Sequence, residues 1–123
     1  MEDPPQRVLP VLEHAVTVYK IWYQYRSDFP KAARYVLGDK IDQLFVQLLE
    51  LLLVASYQSK TDKLPTIRSA VRRMDVLKFF LRITWEIGAL ENKKYANLSE
   101  QAHELGRMIG GWKKGLESKT PPQ

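Results

Sequence analysis

The residues best equipped for chemistry in this chain are Glu100-Gln101-Ala102-His103, a Glu-x-x-His quartet. Di-iron helical bundles use that spacing in two copies, on two helices, with every ligand aimed into the core. Here there is one copy, and at about 100° per residue both side chains fall opposite Leu98, Leu105 and Ile109, toward solvent. The other histidine, His14 beside Glu13, reads as an exposed side chain. Cysteine is absent, which excludes disulfides and thiolate metal sites. No phosphate-cradling glycine loop, nucleophile elbow or paired-carboxylate arrangement occurs. The residues therefore predict a protein without catalytic, cofactor or metal site, which is not an enzyme.

The cations are better organised. Formal charge rises along the chain from −1 over residues 1–28 to +1 over 29–60, +2 over 61–91 and +3 over 92–123, for a net +5. Such an excess permits salt-sensitive attraction to nucleic-acid phosphates. On a helical projection Arg68, Arg72, Lys78 and Arg82 share one sector, joined by Asp75 and Glu86 and interrupted by Phe79. His103, Arg107 and Lys114 line a polar back further on, with Lys113 nearby. Lys31 and Arg34 open an earlier segment, and Lys93 and Lys94 fall in an expected loop. A solvated, partly salt-bridged face accounts for any one of these clusters alone. Multiplied around a symmetric oligomer, they would form a large basic surface.

The elements that must carry these residues are helices. Leu12, Ala15, Tyr19 and Trp22 recur at steps of three and four, as do Leu37, Ile41, Leu44, Leu48, Leu51 and Ala55. A third stripe runs Ala70, Met74, Leu77, Leu81, Thr84 and Gly88, and a fourth Leu98, Ala102, Leu105, Ile109, Trp112 and Leu116; strand-like alternation is absent. Ser27-Asp28-Phe29-Pro30 ends the first helix, because a residue preceding proline disfavours helical geometry. Ser59-Lys60-Thr61-Asp62 and Pro65 separate the second and third, and Asn97-Leu98-Ser99-Glu100 has the form of a capping box. Short connections between such helices predict one all-α domain, an antiparallel up-down four-helix bundle over residues 8–117. Loose tails are expected at 1–7 and 118–123. No apolar run spans a bilayer and no signal-type segment opens the chain, so a cytoplasmic protein is expected.

Two features exceed what a monomeric bundle requires. A second apolar row, Val76, Phe80, Ile83 and Ile87, flanks the third stripe, and Ile21, Tyr23 and Tyr25 lie outside the first. Apolar surface of that extent predicts self-association. The last helix also carries Gly106, Gly110 and Gly111, each costing about 1 kcal/mol against alanine in a helix. Gly106 and Gly110, one turn apart on one face, predict close approach by a neighbouring backbone.

Phe29-Pro30-Lys31, then Arg34-Tyr35-Val36-Leu37-Gly38-Asp39-Lys40-Ile41, then Leu77-Lys78-Phe79-Phe80-Leu81-Arg82, and finally Leu105-Gly106-Arg107-Met108-Ile109-Gly110-Gly111-Trp112 resemble the accessory variability determinant (Avd) of diversity-generating retroelements. The resemblance covers roughly residues 8–117, and its last segment is the most specific. It implies a four-helix protomer assembled as a barrel-like homopentamer with a basic surface. It also implies association with the retroelement's reverse transcriptase and template RNA, or an RNA–DNA hybrid, during mutagenic cDNA synthesis and retrohoming. A sister family encoded in intervening sequences of 23S ribosomal RNA genes shares the Phe-Pro element. It carries Ser-Ile-x-x-Asn-Ile-Ala-Glu-Gly in its second helix, where this chain reads Leu48-Leu49-Glu50-Leu51-Leu52-Leu53-Val54-Ala55. The difference favours the retroelement branch.

Under this reading Lys78 and Arg82, interleaved with Phe79, are expected to meet the reverse transcriptase, since arginine beside aromatic residues suits an interface anchor. Lys31, Arg34, Arg68, Arg72, Arg107, Lys113 and Lys114 are then the expected nucleic-acid contacts. A purely protein-interacting oligomeric bundle is the competing class, and salt-insensitive or absent RNA binding would distinguish it.

Overall fold

The computed structural model describes residues 9–119. Four long helices make the bundle: α1 (Leu9–Arg26), α2 (Asp39–Tyr57), α3 (Lys60–Glu86) and α4 (Asn92–Lys119). A single helical turn, Lys31–Ala33, and a π-helical turn, Arg34–Gly38, lead into α2. There is no strand among the described residues. The expected N-terminal tail, 1–7, lies outside the described residues, as do 120–123 of the C-terminal one; residues 118 and 119 continue α4.

The apolar stripes become the core. Ala15 and Trp22 of α1, Ile41, Leu44, Leu48 and Ala55 of α2, Ala70, Met74, Leu77, Leu81 and Thr84 of α3, and Leu98, Ala102, Leu105, Ile109 and Leu116 of α4 are all buried. Val11, Val18, Phe45, Leu52, Leu64 and Ile67 fill the remaining space. Each aliphatic or aromatic side chain withdrawn from water contributes roughly 1.5–3 kcal/mol. Trp22, fully buried, is the hub: its ring stacks on Phe45 at 6.1 Å and meets Phe29 edge-on at 5.4 Å. α3 packs between α2 and α4, and α1 lies against both α4 and α2.

The helix ends follow local chemistry, with three departures from the sequence reading. Pro65, expected to help separate the second and third helices, lies inside α3, which already begins at Lys60 and has Leu64 and Ile67 buried in the core on either side of the proline. Ser59 caps α3, its hydroxyl accepting from the Asp62 amide at 3.4 Å. Gly88 is not the last member of the third stripe. It ends α3 at φ +78°, the only positive φ among the described residues, with its amide bonded to the Trp85 carbonyl at 3.0 Å. The left-handed region is open to glycine without the steric cost a side chain incurs. Nor is Asn97-Leu98-Ser99-Glu100 a capping box. α4 starts five residues earlier, at Asn92, and Asn97 lies inside it, donating Nδ2 to the Tyr25 hydroxyl at 2.8 Å. The extra turn is held by tertiary contacts that local pattern does not encode. Lys94 pairs with Asp28 at 2.5 Å, and Tyr95 stacks on Trp85 at 5.2 Å.

The glycine-rich segment also differs from expectation. A Cβ added at Gly110 or Gly111 would meet nothing within 4 Å, so no backbone of this protomer approaches there. Gly106 does have a neighbour, but it is a side chain: a Cβ would lie 2.9 Å from Lys78 Nζ.

Candidate functional site

At the corner between α1 and α2 the polar groups face inward. Tyr19, Trp22 and Arg26 recur along α1; Tyr19 and Trp22 each donate to Asp42 Oδ1 of α2 at 3.2 Å, and Arg26 forms an ion pair with its Oδ2 at 3.0 Å. Burial, followed by the Asp42 charge, pushes the Tyr19 hydroxyl above its ordinary pKa of 10.0. Ionised acceptors make the stronger hydrogen bonds, so one carboxylate fastens three side chains of α1 to α2. Phe29, 2% exposed, fills the corner against Trp22. Arg34 locks it, donating Nη2 to the carbonyls of Ser27 at 3.0 Å and Phe29 at 2.9 Å. Arg34, expected to meet phosphate, is thus committed to backbone, while Lys31 stands exposed beside it with no ion pair among the described residues.

The basic row of α3 is more heterogeneous than its helical projection suggests. Arg68 reaches Glu117 of α4 at 3.4 Å, and Arg72 donates to Ser69 at 3.1 Å. Arg82 pairs with Glu86 one turn on, at 2.7 Å, and that hydrogen bond pushes the guanidinium pKa upward. Lys78 is half-buried, laid over Gly106 with no carboxylate partner among the described residues. Between these cations Phe79 is 57% exposed, its ring edge-on to Phe80. Lys78, Phe79 and Arg82 line one cleft of about 290 Å³ together with Tyr95, Ser99 and His103 of α4.

The other expected contacts do not join that cleft. Arg107 pairs with Glu104 at 3.3 Å. Lys113 and Lys114 lie one turn before Glu117, toward the end of the bundle where Arg68 and Arg72 sit. Lys31 and Arg34 lie at the opposite end, where Lys94 of α4 meets Asp28. Among the described residues no group of three or more histidine, aspartate or glutamate side chains converges to hold a metal, and Glu100 and His103 are exposed. His14 is not the exposed side chain expected: it is half-buried, its Nε2 3.3 Å from the Gln101 carbonyl.

Sequence reasoning missed the neighbouring cleft. Trp85 lies off the core stripe, 41% exposed, stacked on Tyr95 with 13° between ring planes and donating Nε1 to Asn92 Oδ1 at 2.6 Å. Asn92, Ser99, Glu100 and His103 complete a cleft of about 610 Å³. The available signal was a tryptophan outside every apolar stripe, facing a tyrosine across a short connection.

A third surface is apolar. Val76 of α3 and Ile87 just past its end are 42% and 59% exposed, with Phe80 and Ile83 of α3 half-buried. Lys40 stands over the Phe80 ring at 5.8 Å. In the π-helical turn Tyr35 and Val36 are each 72% exposed. The sequence model of the bAvd-like family matches residues 11–116. The chain belongs to the bAvd-like family. It is thus an Avd-type protein, and the match takes in the Phe29-Pro30 corner, the exposed Tyr35-Val36 turn, the Phe79 row and the glycine segment of α4. No match is found among curated proteins. No helix among the described residues is long and apolar enough to cross a membrane.

Proposed function

We propose that this bAvd-like chain is a non-catalytic accessory protein of a diversity-generating retroelement, acting in the cytoplasm. Its protomer is an antiparallel up-down bundle that self-associates as a homopentamer. It binds the element's reverse transcriptase and template RNA and supports mutagenic cDNA synthesis and retrohoming. The observation that carries this reading is the family match over residues 11–116. Two surface features give it a physical basis. Tyr35, Val36, Val76 and Ile87 form apolar surface that the protomer itself does not cover, and burying it favours assembly by roughly 25 cal/mol per Å². Lys31, Lys113 and Lys114 carry no ion pair among the described residues, which suits them to phosphate contact through counterion release. Arg68, Arg72 and Arg107 join them only by giving up the partners they hold. Lys78, Phe79 and Arg82 serve the polymerase, as an exposed aromatic anchor between two cations.

Co-purification with the reverse transcriptase, RNA affinity across a salt series and light scattering test the reading together. Charge reversal at Lys78 and Arg82 is expected to release the polymerase and leave RNA affinity in place. Reversal at Lys113 and Lys114 is expected to lower the salt slope of RNA affinity by about one unit per lost contact. A monomeric protein that captures neither partner overturns it. The internal pairing of Arg34, Arg68, Arg82 and Arg107 favours a second reading, a bundle that binds proteins only. Its signature is polymerase capture without salt-dependent RNA affinity.

A further inference from the structure

We propose that the cleft between the C-terminal end of α3 and the start of α4 binds an unpaired nucleobase, so that this protein holds single-stranded template next to its polymerase contact. The inference rests on the RNA-binding reading above and names the form of RNA and the place that takes it.

Trp85 and Tyr95 are stacked at 5.2 Å with 13° between their planes, and Trp85 remains 41% exposed. They form a ready-made aromatic shelf. Such a shelf accepts any base, because every base has a π face, whereas the bases of a duplex are already stacked on one another. The rim is polar and carries both donors and acceptors. Asn92 Oδ1 is occupied by the Trp85 indole at 2.6 Å, which leaves its amide nitrogen to donate. Ser99, Glu100 and His103 line the same cleft of about 610 Å³. Lys93, exposed and without an ion pair among the described residues, adjoins Asn92 and is placed for a flanking phosphate. The cleft shares Tyr95, Ser99 and His103 with the one lined by Lys78, Phe79 and Arg82. A polymerase copies an unpaired template, so a base held here stands beside the surface assigned to that enzyme.

The test uses fluorescence anisotropy with a short unstructured RNA and a hairpin duplex of equal length. Trp85→Ala and Tyr95→Ala are expected to weaken single-strand binding about five- to a hundredfold, with duplex affinity and salt slope unchanged, since no charge is lost. Trp85→Phe is expected to recover most of the affinity, and Lys93→Gln to lower the salt slope by about one unit. In a Trp112→Phe background, single-stranded RNA is expected to quench Trp85 emission and the duplex to leave it unchanged; this readout needs no variant at the cleft itself. Equal losses for both RNA forms, no loss for either, or no quenching overturn the proposal. Loss of polymerase capture with RNA binding intact overturns it too, and makes the cleft a protein contact. If the unaltered protein binds neither RNA form, it is the RNA reading itself that fails, and the cleft with it.

Discussion

The α1–α2 corner and the α3–α4 face contain similar residue types and use them in opposite ways. In the corner, aromatic rings are buried, and Arg26 and Arg34 are turned onto Asp42 and two backbone carbonyls. On the α3–α4 face Phe79 and Trp85 are exposed, Lys78 has no carboxylate partner among the described residues, and Arg82 is held only by an exposed neighbour on its own helix. Partnered polar groups in partly buried surroundings help to fix a fold, although Arg34 Nε in this corner is buried without a hydrogen bond. Exposed aromatic and cationic groups contribute little to a protomer's stability and much to what it can bind. The corner builds the bundle, and the proposed partners would meet the face.

The sharpest way to break this comparison is to remove the corner's ring. Phe29→Ala deletes a side chain that is 2% exposed and packed edge-on against Trp22. It is expected to cost about 3–5 kcal/mol, read as a fall in urea midpoint. Phe79→Ala, on the exposed face, is expected to change stability by less than about 0.5 kcal/mol. If both cost the same, the division between scaffold and binding face is wrong.

Asp42 comes next. Asp42→Ala strands the fully buried Trp22 indole and removes the Tyr19 hydrogen bond and the Arg26 ion pair, for an expected loss of about 2–3 kcal/mol. The same network sets an alkaline dependence. Tyr19 holds its proton above the ordinary value of 10.0, first through burial and then through Asp42. The unfolded chain therefore loses that proton first. Tyr19 supports the fold fully below about pH 10, and that support drains away as pH climbs through the raised folded value. Urea titrations between pH 9 and 11 are expected to show a shallower alkaline decline in Tyr19→Phe. An identical slope would show that the hydroxyl is not what titrates.

Gly106 and Gly110 of α4 sharpen the picture on a smaller scale. At Gly110 an added Cβ meets open space, so Gly110→Ala is expected to raise protomer stability by up to about 1 kcal/mol through helix propensity. At Gly106 the same change brings Cβ within 2.9 Å of Lys78 Nζ. The flexible ammonium end is expected to move aside, offsetting the propensity gain, and under the proposed function polymerase capture is expected to fall instead. Were Gly110→Ala to leave the protomer stable and abolish assembly, the glycine would be seating a neighbouring copy.

Legibility from sequence divided along the same line. Every apolar stripe has its buried members in the core, because burial obeys helical periodicity and the stripe records it directly. The first corner was equally plain, since Pro30 forbids continuation of α1. The start of α4 was not, because Asn97 and Glu100 imitate a cap whereas the true first turn rests on Asp28, far away in sequence, and on Trp85 across the preceding connection. The basic row of α3 was legible as a row. Its partners were not, since Glu117 of α4 meets Arg68 only once the chain has folded. The Trp85–Tyr95 cleft escaped for the same reason: neither ring belongs to a repeating pattern, and only the short connection through Gly88 brings them face to face.

The smallest effect on stability concerns Arg82 and Glu86, and it is the most discriminating about the face. Their pair is one turn apart and exposed, 65% and 47% at the side chains, so breaking it is expected to cost very little stability. Arg82→Gln and Glu86→Gln each break it and should be nearly indistinguishable in a thermal melt. They should differ in partner capture. Glu86→Gln frees the guanidinium for an acidic or phosphate partner and is expected to strengthen capture, and Arg82→Gln removes the cation and is expected to weaken it. Opposite signs at equal stability would mean that Glu86 holds Arg82 in reserve for a partner. Equal, unchanged capture would mean that the pair is only a solvated helix surface, and the anchor would then reduce to Lys78 and Phe79.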